Sequence, residues 1–138
     1  MIHIGFTGTR KGMTYVQKKG VADIIAHNDC NLHHGDCIGA DANAHAIATA
    51  IGASTTVHPP IDSSERSYAY GTFMREPRDY IKRNHDIVDE TAWLIAAPET
   101  IEEILRSGTW ATIRYATKKG RRVWILYPDG KIEKRNEP

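Results

Sequence analysis

Short runs of strand-type apolar residues alternate with longer segments of helical period, and this alternation is the strongest constraint on the fold. Apolar periodicity predicts five strands, at Ile2–Thr7, Asn31–His34, Ala53–Val57, Ala92–Ala97 and Val123–Tyr127. Strands separated by helices form parallel sheets, because each crossover helix covers a face of the sheet. The sequence therefore predicts an α/β, doubly wound domain with a mainly parallel five-stranded sheet and helices on both faces.

Four helices are predicted between these strands. Their expected limits are Thr14 as the first N-cap, residues 40–51, a start at Pro77, and a last helix from Ser107 or Gly108 to Lys119. Residues 58–76 have no clear period, and a connection of this length is usually functional or mobile. The domain is expected to cover residues 1–130, and residues 131–138 are expected to form a solvated tail.

The composition is that of one ordinary globular domain. With 138 residues and a net charge of +1, the chain lacks the basic excess of proteins that hold nucleic acid mainly by bulk charge. Two cysteines, Cys30 and Cys37, cannot form a disulfide framework, and the sequence has no secretion signal and no apolar run of about 18 residues. We therefore expect a cytoplasmic protein with no membrane partner.

Glycine- and hydroxyl-rich loops follow the first and fourth predicted strands. Ligands of parallel sheets bind beyond the carboxyl ends of the strands, so both loops are expected on one edge. That edge carries Gly8, Thr9 and Arg10 after the first strand, and Pro98, Ser107, Gly108 and Thr109 after the fourth. Free N–H groups at helix starts attract anions, as does a guanidinium group. Each loop is also compatible with an ordinary turn or N-cap, but their pairing predicts a phosphate-binding site.

Further polar residues follow the second strand and lie on the third helix. Gly35, Asp36, Gly39 and Asp41 surround the start of helix 40–51. Asp41 either interacts with the helix dipole or accepts a hydrogen bond from a ribose hydroxyl or a base edge. Asn84 lies on an apolar helix face, where its amide either bonds a neighbouring loop and shapes the pocket or contacts the ligand.

No metal site is predicted. Cys30, His33, His34 and Cys37 have short spacings, but His33 and His34 fall on one strand and are expected on opposite faces of the sheet. His33, His34 and His58 remain possible acid–base groups at strand ends.

Taken in order, these segments resemble the SLOG superfamily of DprA/Smf, LOG-type and YpsA-like proteins. The run from Gly35 to His45 is similar to the DprA pattern G-x-x-x-G-[IA]-D-x-x-A-H, and Arg83-Asn84 is similar to its RN pair. Residues 106–112 and 120–123 resemble RSGS-L-I-T and GR-x-V, and residues 7–10 resemble VGTR. The resemblance covers residues 2–130. It implies one Rossmann-like domain that binds a nucleotide or a nucleotide-derived phosphorylated molecule, needs no cofactor and forms a homo-oligomer.

The same resemblance raises an enzymatic alternative, the hydrolysis of an N-glycosidic bond in a nucleoside monophosphate. LOG-type phosphoribohydrolases carry the motif PGGxGTxxE, whose glutamate is needed for catalysis. Gly108-Thr109 aligns with its GT, but Thr112 stands in place of the glutamate. Positive charge develops on the sugar in such a reaction, so a nearby carboxylate is required. The candidates on the predicted edge are Asp36, Asp41, Glu99, Glu102 and Glu103.

A third alternative is binding of single-stranded DNA, as in DprA. Residues 104–128 hold six basic side chains and no acid. This pattern is typical either of a basic stripe for DNA or of a solvated helix face and helix C-terminus. For the nucleotide-binding hypothesis, Trp110 or Tyr68 is the candidate to stack on the base, although packing in the core is the favoured role of Trp110.

Overall fold

The computed structural model describes all 138 residues and places one seven-stranded sheet between two pairs of helices. The strands are β1 (Ile2–Gly8), β2 (Cys30–His34), β3 (Ser54–Val57), β4 (Phe73–Met74), β5 (Trp93–Ala97), β6 (Arg122–Leu126) and β7 (Ile132–Arg135). The helices are α1 (Tyr15–Ala26), α2 (Ala40–Ile51), α3 (Tyr80–Asp89) and α4 (Gly108–Lys118). None of these helices is long and apolar enough to cross a bilayer.

The strand order is β4-β3-β2-β1-β5-β6-β7, and every neighbouring pair is parallel except β6 and β7. The chain moves outward from β1 to β4 and then returns to place β5 beside β1. The carboxyl ends of β1 and β5 therefore flank the topological switch point, where ligands of such sheets bind. The predicted α/β class with a mainly parallel sheet is confirmed.

Each face of the sheet has its own apolar core. Ile4, Phe6 and Leu32 pack with residues of α1 and α2 on one face. Ile87 and Ile113, from α3 and α4, pack on the other face. Because successive strand residues point to opposite faces, buried strands with apolar residues on both faces require this two-sided cover.

The prediction of five strands is wrong, because two short edge strands were missed. Strand β4 has two residues, too few to produce a visible period, and pairs with β3. The segment expected to be a solvated tail contains β7. A turn with Gly130 at φ +98° reverses the chain and places Ile132 opposite Leu126.

Three of the four predicted helix starts are confirmed, among them that of α2 at Ala40, and one is wrong. Thr14 caps α1 in a capping box with Gln17, and Ser107 caps α4. The third helix starts at Tyr80 and not at Pro77. Its N-cap is Asp79, whose side chain accepts a hydrogen bond of 3.0 Å from the Lys82 amide.

Candidate functional site

A cavity of about 530 Å³ lies at the carboxyl ends of β1 and β5. Its walls come from the loop after β1, the loop after β2, one face of α3, and the loop and first turn of α4. The structure brings most of the predicted site residues to this cavity, namely Gly8, Thr9, Arg10, Gly35, Asp41, Asn84, Glu99, Ser107, Gly108 and Thr109. These residues come from four separate segments, as expected for a site at a switch point.

Five predicted site residues are absent from the cavity wall: Asp36, Gly39, Pro98, Glu102 and Glu103. The Pro98 carbonyl accepts a hydrogen bond of 2.8 Å from the buried Gln17 side chain, which ties α1 to the end of β5. Glu103 forms an ion pair of 2.7 Å with Arg114 on the surface. Thr112, at the position of the LOG glutamate, is buried, and its hydroxyl donates to the Gly108 carbonyl.

Asp36 is a fully buried anchor for the loop after β3. One carboxylate oxygen accepts from the Ser67 hydroxyl at 2.8 Å and from the Ala69 amide at 2.7 Å. The other oxygen pairs with Arg66 at 2.5 Å. The backbone of Asp36 has φ +59°, and its carbonyl accepts from the Ser67 amide. The carboxylate thus holds residues 65–69 in place instead of facing the cavity.

Two glycines in the loop after β2 make room for neighbouring groups. A Cβ at Gly35 would lie 2.7 Å from the guanidinium carbon of Arg83, so only glycine lets that side chain approach. Gly39 has φ +86°, and a Cβ there would lie 2.3 Å from the Arg10 carbonyl oxygen. Gly39 shapes the loop that carries Arg10 without lining the cavity itself.

The first turn of α4 offers free backbone donors to the cavity. The Ser107 hydroxyl accepts from the Trp110 amide at 3.2 Å, which caps one of the helix N–H groups. Gly108 and Thr109 are the first two residues of the helix, so no helical carbonyl four residues earlier accepts from their amides, and these amides remain free. No heavy atom lies within 4 Å of a Cβ built on Gly108, so there is open space beside this first residue of the helix.

Arg83 is a buried cation at the cavity that sequence reasoning did not select. Its side chain is 5% exposed, and it has no carboxylate partner. Its guanidinium donates to the Gly35 and His58 carbonyls and to the Asn84 side chain at 2.8 Å. The predicted role of Asn84 in shaping the pocket agrees with this last contact. A buried guanidinium group that forms no ion pair is costly, which favours an anionic ligand nearby.

The charged groups at the cavity wall are mainly basic. Four cations, Arg10, Lys11, Arg83 and Arg106, line it together with two carboxylates, Asp41 and Glu99. Lys11 pairs with Glu99 at 2.8 Å, and Arg10 pairs at the same distance with Glu65, which lies outside the wall. Arg106 makes no ion pair, so Arg83 and Arg106 are both available to an anionic ligand.

Two cavity residues carry buried polar atoms without a hydrogen-bond partner. These are Asp41 Oδ1 and Trp110 Nε1, on side chains that are 6% and 2% exposed. The second oxygen of Asp41 accepts from the amides of Gly35 and Cys37 at 3.1 and 3.2 Å. Burial raises the pKa of Asp41 to about 6, although the nearby Arg83 opposes the shift. Trp93 Nε1, which is not part of the cavity wall, is also buried without a partner, so the two cavity atoms support a ligand only together with the free donors of α4 and Arg83.

Tyr80, Lys11 and Arg106 are further cavity residues outside the predicted set. Tyr80 lies under two guanidinium groups, those of Arg10 and Arg83, each 5.2 Å from its ring centre. The signal for Arg83 and Tyr80 was present in the sequence, because both share the face of α3 that carries Asn84. Arg106 could also have been selected from the sequence, because it directly precedes the predicted Ser107.

The basic segment 104–128 is partly neutralised in the folded chain. Arg114 pairs with Glu103, Lys119 with Asp89 and Arg122 with Glu137. Three of its six basic side chains thus face carboxylates from other segments, which weakens the interpretation as a continuous stripe for DNA.

Comparison with known proteins gives relatives by fold. No protein-family model matches the chain, and no curated protein sequence matches it. Among solved structures, a molybdenum cofactor binding protein from Rippkaea orientalis has a TM-score of 0.72 at 20% identity, covering 91% of this chain and 76% of that one. DNA processing protein A (DprA) from Streptococcus pneumoniae has a TM-score of 0.65 at 21% identity, covering 91% and 50%. The chain shares the Rossmann-like fold of these solved structures.

A third similar structure is that of DprA from Helicobacter pylori, described by its single-stranded DNA binding mode. Its TM-score is 0.64 at 17% identity, and the match covers 91% of this chain and 65% of that one. The chain therefore spans half to two-thirds of these DprA chains. The predicted SLOG resemblance is confirmed for the fold. At these identities the comparisons show the fold, and the ligand of the cavity has to be inferred from the residues that line it.

Proposed function

We propose that the protein binds a nucleotide or a nucleotide-derived phosphorylated small molecule in the cavity between β1 and β5. The observation that carries the proposal is the convergence of two guanidinium groups without carboxylate partners, Arg83 and Arg106, with the free first-turn amides of α4. Phosphate oxygens accept from such donors, and the helix dipole adds to the attraction. A volume of about 530 Å³ suits a small molecule.

The remaining polar groups suit the other end of such a ligand. Asp41 Oδ1 can accept from a sugar hydroxyl or from an amino group of a base, and Trp110 Nε1 can donate to an acceptor. Among the similar structures, one protein is named for binding the molybdenum cofactor and another for binding single-stranded DNA. These names support a small molecule or a nucleic acid as the ligand class.

Calorimetry of the full chain tests the proposal. The ligands are nucleoside mono- and diphosphates, a cyclic nucleotide, the molybdenum cofactor and a nucleoside without phosphate. Arg106→Gln should weaken binding of the phosphorylated ligand about 10-fold or more, as expected for loss of a charge-assisted hydrogen bond. Arg121→Gln is the matched control, because Arg121 also lacks a carboxylate partner but lies outside the cavity.

The outcomes separate the candidate ligands. Equal affinity for the nucleoside and its phosphate would contradict the assigned role of Arg106. No binding across the panel, with a salt-sensitive gel shift of single-stranded DNA, would instead support the DNA-binding alternative.

The second candidate function is hydrolysis of an N-glycosidic bond. The observation that favours it is Asp41, a buried carboxyl group at the cavity whose pKa is raised to about 6. In the reaction the bond between the anomeric carbon and the base breaks, and water adds to that carbon. Asp41 would stabilise the positive charge or accept the proton from water. The other carboxylate of the wall, Glu99, is paired with Lys11.

Chromatography of free base released from nucleoside monophosphates distinguishes turnover from binding. Asp41→Asn should abolish release while leaving binding measurable, and Glu99→Gln should change the rate little. Release at the same rate by the Asp41→Asn variant would exclude this mechanism.

A further inference from the structure

A second cluster of titratable side chains lies on the sheet face that α3 covers, away from the cavity. Nε2 of His33 lies 2.9 Å from Nδ1 of His3, and Nδ1 of His33 lies 2.9 Å from Nε2 of His58. The strand register explains this chain of rings. His3 is opposite Asn31 and His33 is opposite Thr56, so each histidine is a diagonal neighbour of the next. As the sequence predicts, His34 points to the other face of the sheet. There its Nε2 lies 2.9 Å from Nδ1 of His45.

Glu90 brings a carboxylate to this cluster. It is the C-cap residue of α3, and its Oε1 lies 4.0 Å from Nε2 of His58. One ligand atom from each of His33, His58 and Glu90 lies within 4.8 Å of the other two. The two histidines are 1% and 2% exposed, whereas the Glu90 side chain is 35% exposed. The carboxylate thus links the buried imidazoles to solvent.

The hydrogen bonds between the rings indicate which nitrogen atoms face the cluster. A ring nitrogen that carries no proton is the atom that binds a metal ion. A neutral imidazole has one free lone pair, and His3 can accept the proton on Nε2 of His33. That hydrogen bond would leave the lone pair on Nδ1 of His33 directed at the cluster.

We propose that His33, His58 and Glu90 form a binding site for a divalent transition-metal ion, with Zn²⁺ as the expected ion. Two imidazoles and one carboxylate are a donor set that zinc takes in sites with a fourth, open position. Zinc bonds of 2.0–2.1 Å in a tetrahedron place ligand atoms roughly 3.3 Å apart. The separation of 4.0 Å between His58 and Glu90 can close by rotation of the partly exposed Glu90 side chain. The separation of 2.9 Å between the two rings must widen slightly, because the metal would replace the hydrogen bond that now joins them.

Arg75 gives the proposal a directional test. Its Nε and Nη2 atoms donate to Oε1 of Glu90 at 3.0 and 2.9 Å, so the guanidinium occupies the oxygen that the metal would bind. Metal and Arg75 therefore compete for this oxygen, and their positive charges repel each other. Loss of Arg75 should strengthen metal binding, whereas an adventitious surface site would not respond.

The experiment is a Zn²⁺ titration of the full, tag-free chain in competition with a chromophoric chelator. We expect one zinc ion per chain. Glu90→Gln should weaken binding about 10-fold or more, and Arg75→Gln should strengthen it several-fold. His85→Ala is the matched control, because this histidine lies on α3 but stacks on Tyr115 outside the cluster, and its loss should change nothing.

Substitution of the buried His33 or His58 endangers folding, so the variants of the more exposed Glu90 and Arg75 carry the test. Circular dichroism confirms that each variant is folded. Co²⁺ in place of Zn²⁺ should give the visible absorption of a tetrahedral site, and Glu90→Gln should reduce it. Failure of micromolar Zn²⁺ to bind the wild-type chain would overturn the proposal. So would affinities that neither Glu90→Gln nor Arg75→Gln changes. Neither result bears on nucleotide binding, which uses different residues.

Discussion

Asp41 shows at the scale of one residue how burial and function are linked. One oxygen holds the loop after β2 through two amides, while the other has no partner. The sequence placed Asp41 correctly at a helix start near the predicted site. It could not distinguish Asp41 from Asp36, five residues earlier, because the difference is set by which distant group each carboxylate meets. For Asp36 that group is the loop at residues 65–69.

The raised pKa of Asp41 predicts a pH dependence of stability. In the unfolded chain this group titrates near 3.8, and in the folded chain near 6. As the pH rises from 4 to 6 the unfolded state loses its proton first, so the free energy of unfolding should fall, by about 2 kcal/mol. Asp41→Asn keeps an acceptor for the two amides and should flatten this profile. Urea denaturation across this range measures it, and an unchanged slope in the variant would assign the titration to another group.

At the scale of elements, the sequence predicted correctly the features that depend on residues close together in the chain. The caps at Thr14 and Ser107 depend on residues two or three positions away, and both were predicted correctly. Residues 58–79 were not predictable, because Asp36 orders part of this segment from 30 residues away in the sequence. The start of α3 was misplaced although its cap is local. Pro77 suits a first helical position, but the side chain of Asp79 caps the helix two residues later.

Loss of the Asp36 anchor should loosen this loop. Asp36→Asn removes the charge that pairs with Arg66 and turns one acceptor into a donor facing other donors. We expect a loss of about 3 kcal/mol in the free energy of unfolding, as for other broken buried ion pairs. Trypsin should also cleave faster after Arg66. Asp62→Asn is the control, because Asp62 lies in the same connection but is exposed. Equal trypsin resistance in both variants would mean that other contacts hold the loop.

At the scale of the whole molecule, the regular alternation of strands and helices predicted the parallel sheet. It did not predict the two edge strands, β4 and β7. Strand β7 consists of one isoleucine followed by three charged residues and becomes recognisable only when paired with β6. Such a charged strand protects the sheet edge from pairing with another chain. Homo-oligomer formation stays a prediction from the family resemblance.

Removal of residues 131–138 tests the role of β7. Truncation exposes the edge of β6 and deprives Trp124 of its contacts with Lys134 and Glu137. The melting temperature should fall by several degrees, and the truncated chain should associate more readily. Differential scanning calorimetry and size-exclusion chromatography measure the two effects. A truncated chain with the melting temperature and elution volume of the full chain would show that β7 is dispensable.

The return of the chain from β4 to β5 gives the cavity walls from both halves of the sequence. Residues 7–11 stand on one side of the switch point, and residues 104–110 come from the segment that follows β5. A ligand that touches both therefore acts as a clasp between the first and second halves of the chain. Its binding should slow hydrogen exchange in β1 and β5 together, and protection of β5 would report occupancy in a strand that has no residue in the cavity wall.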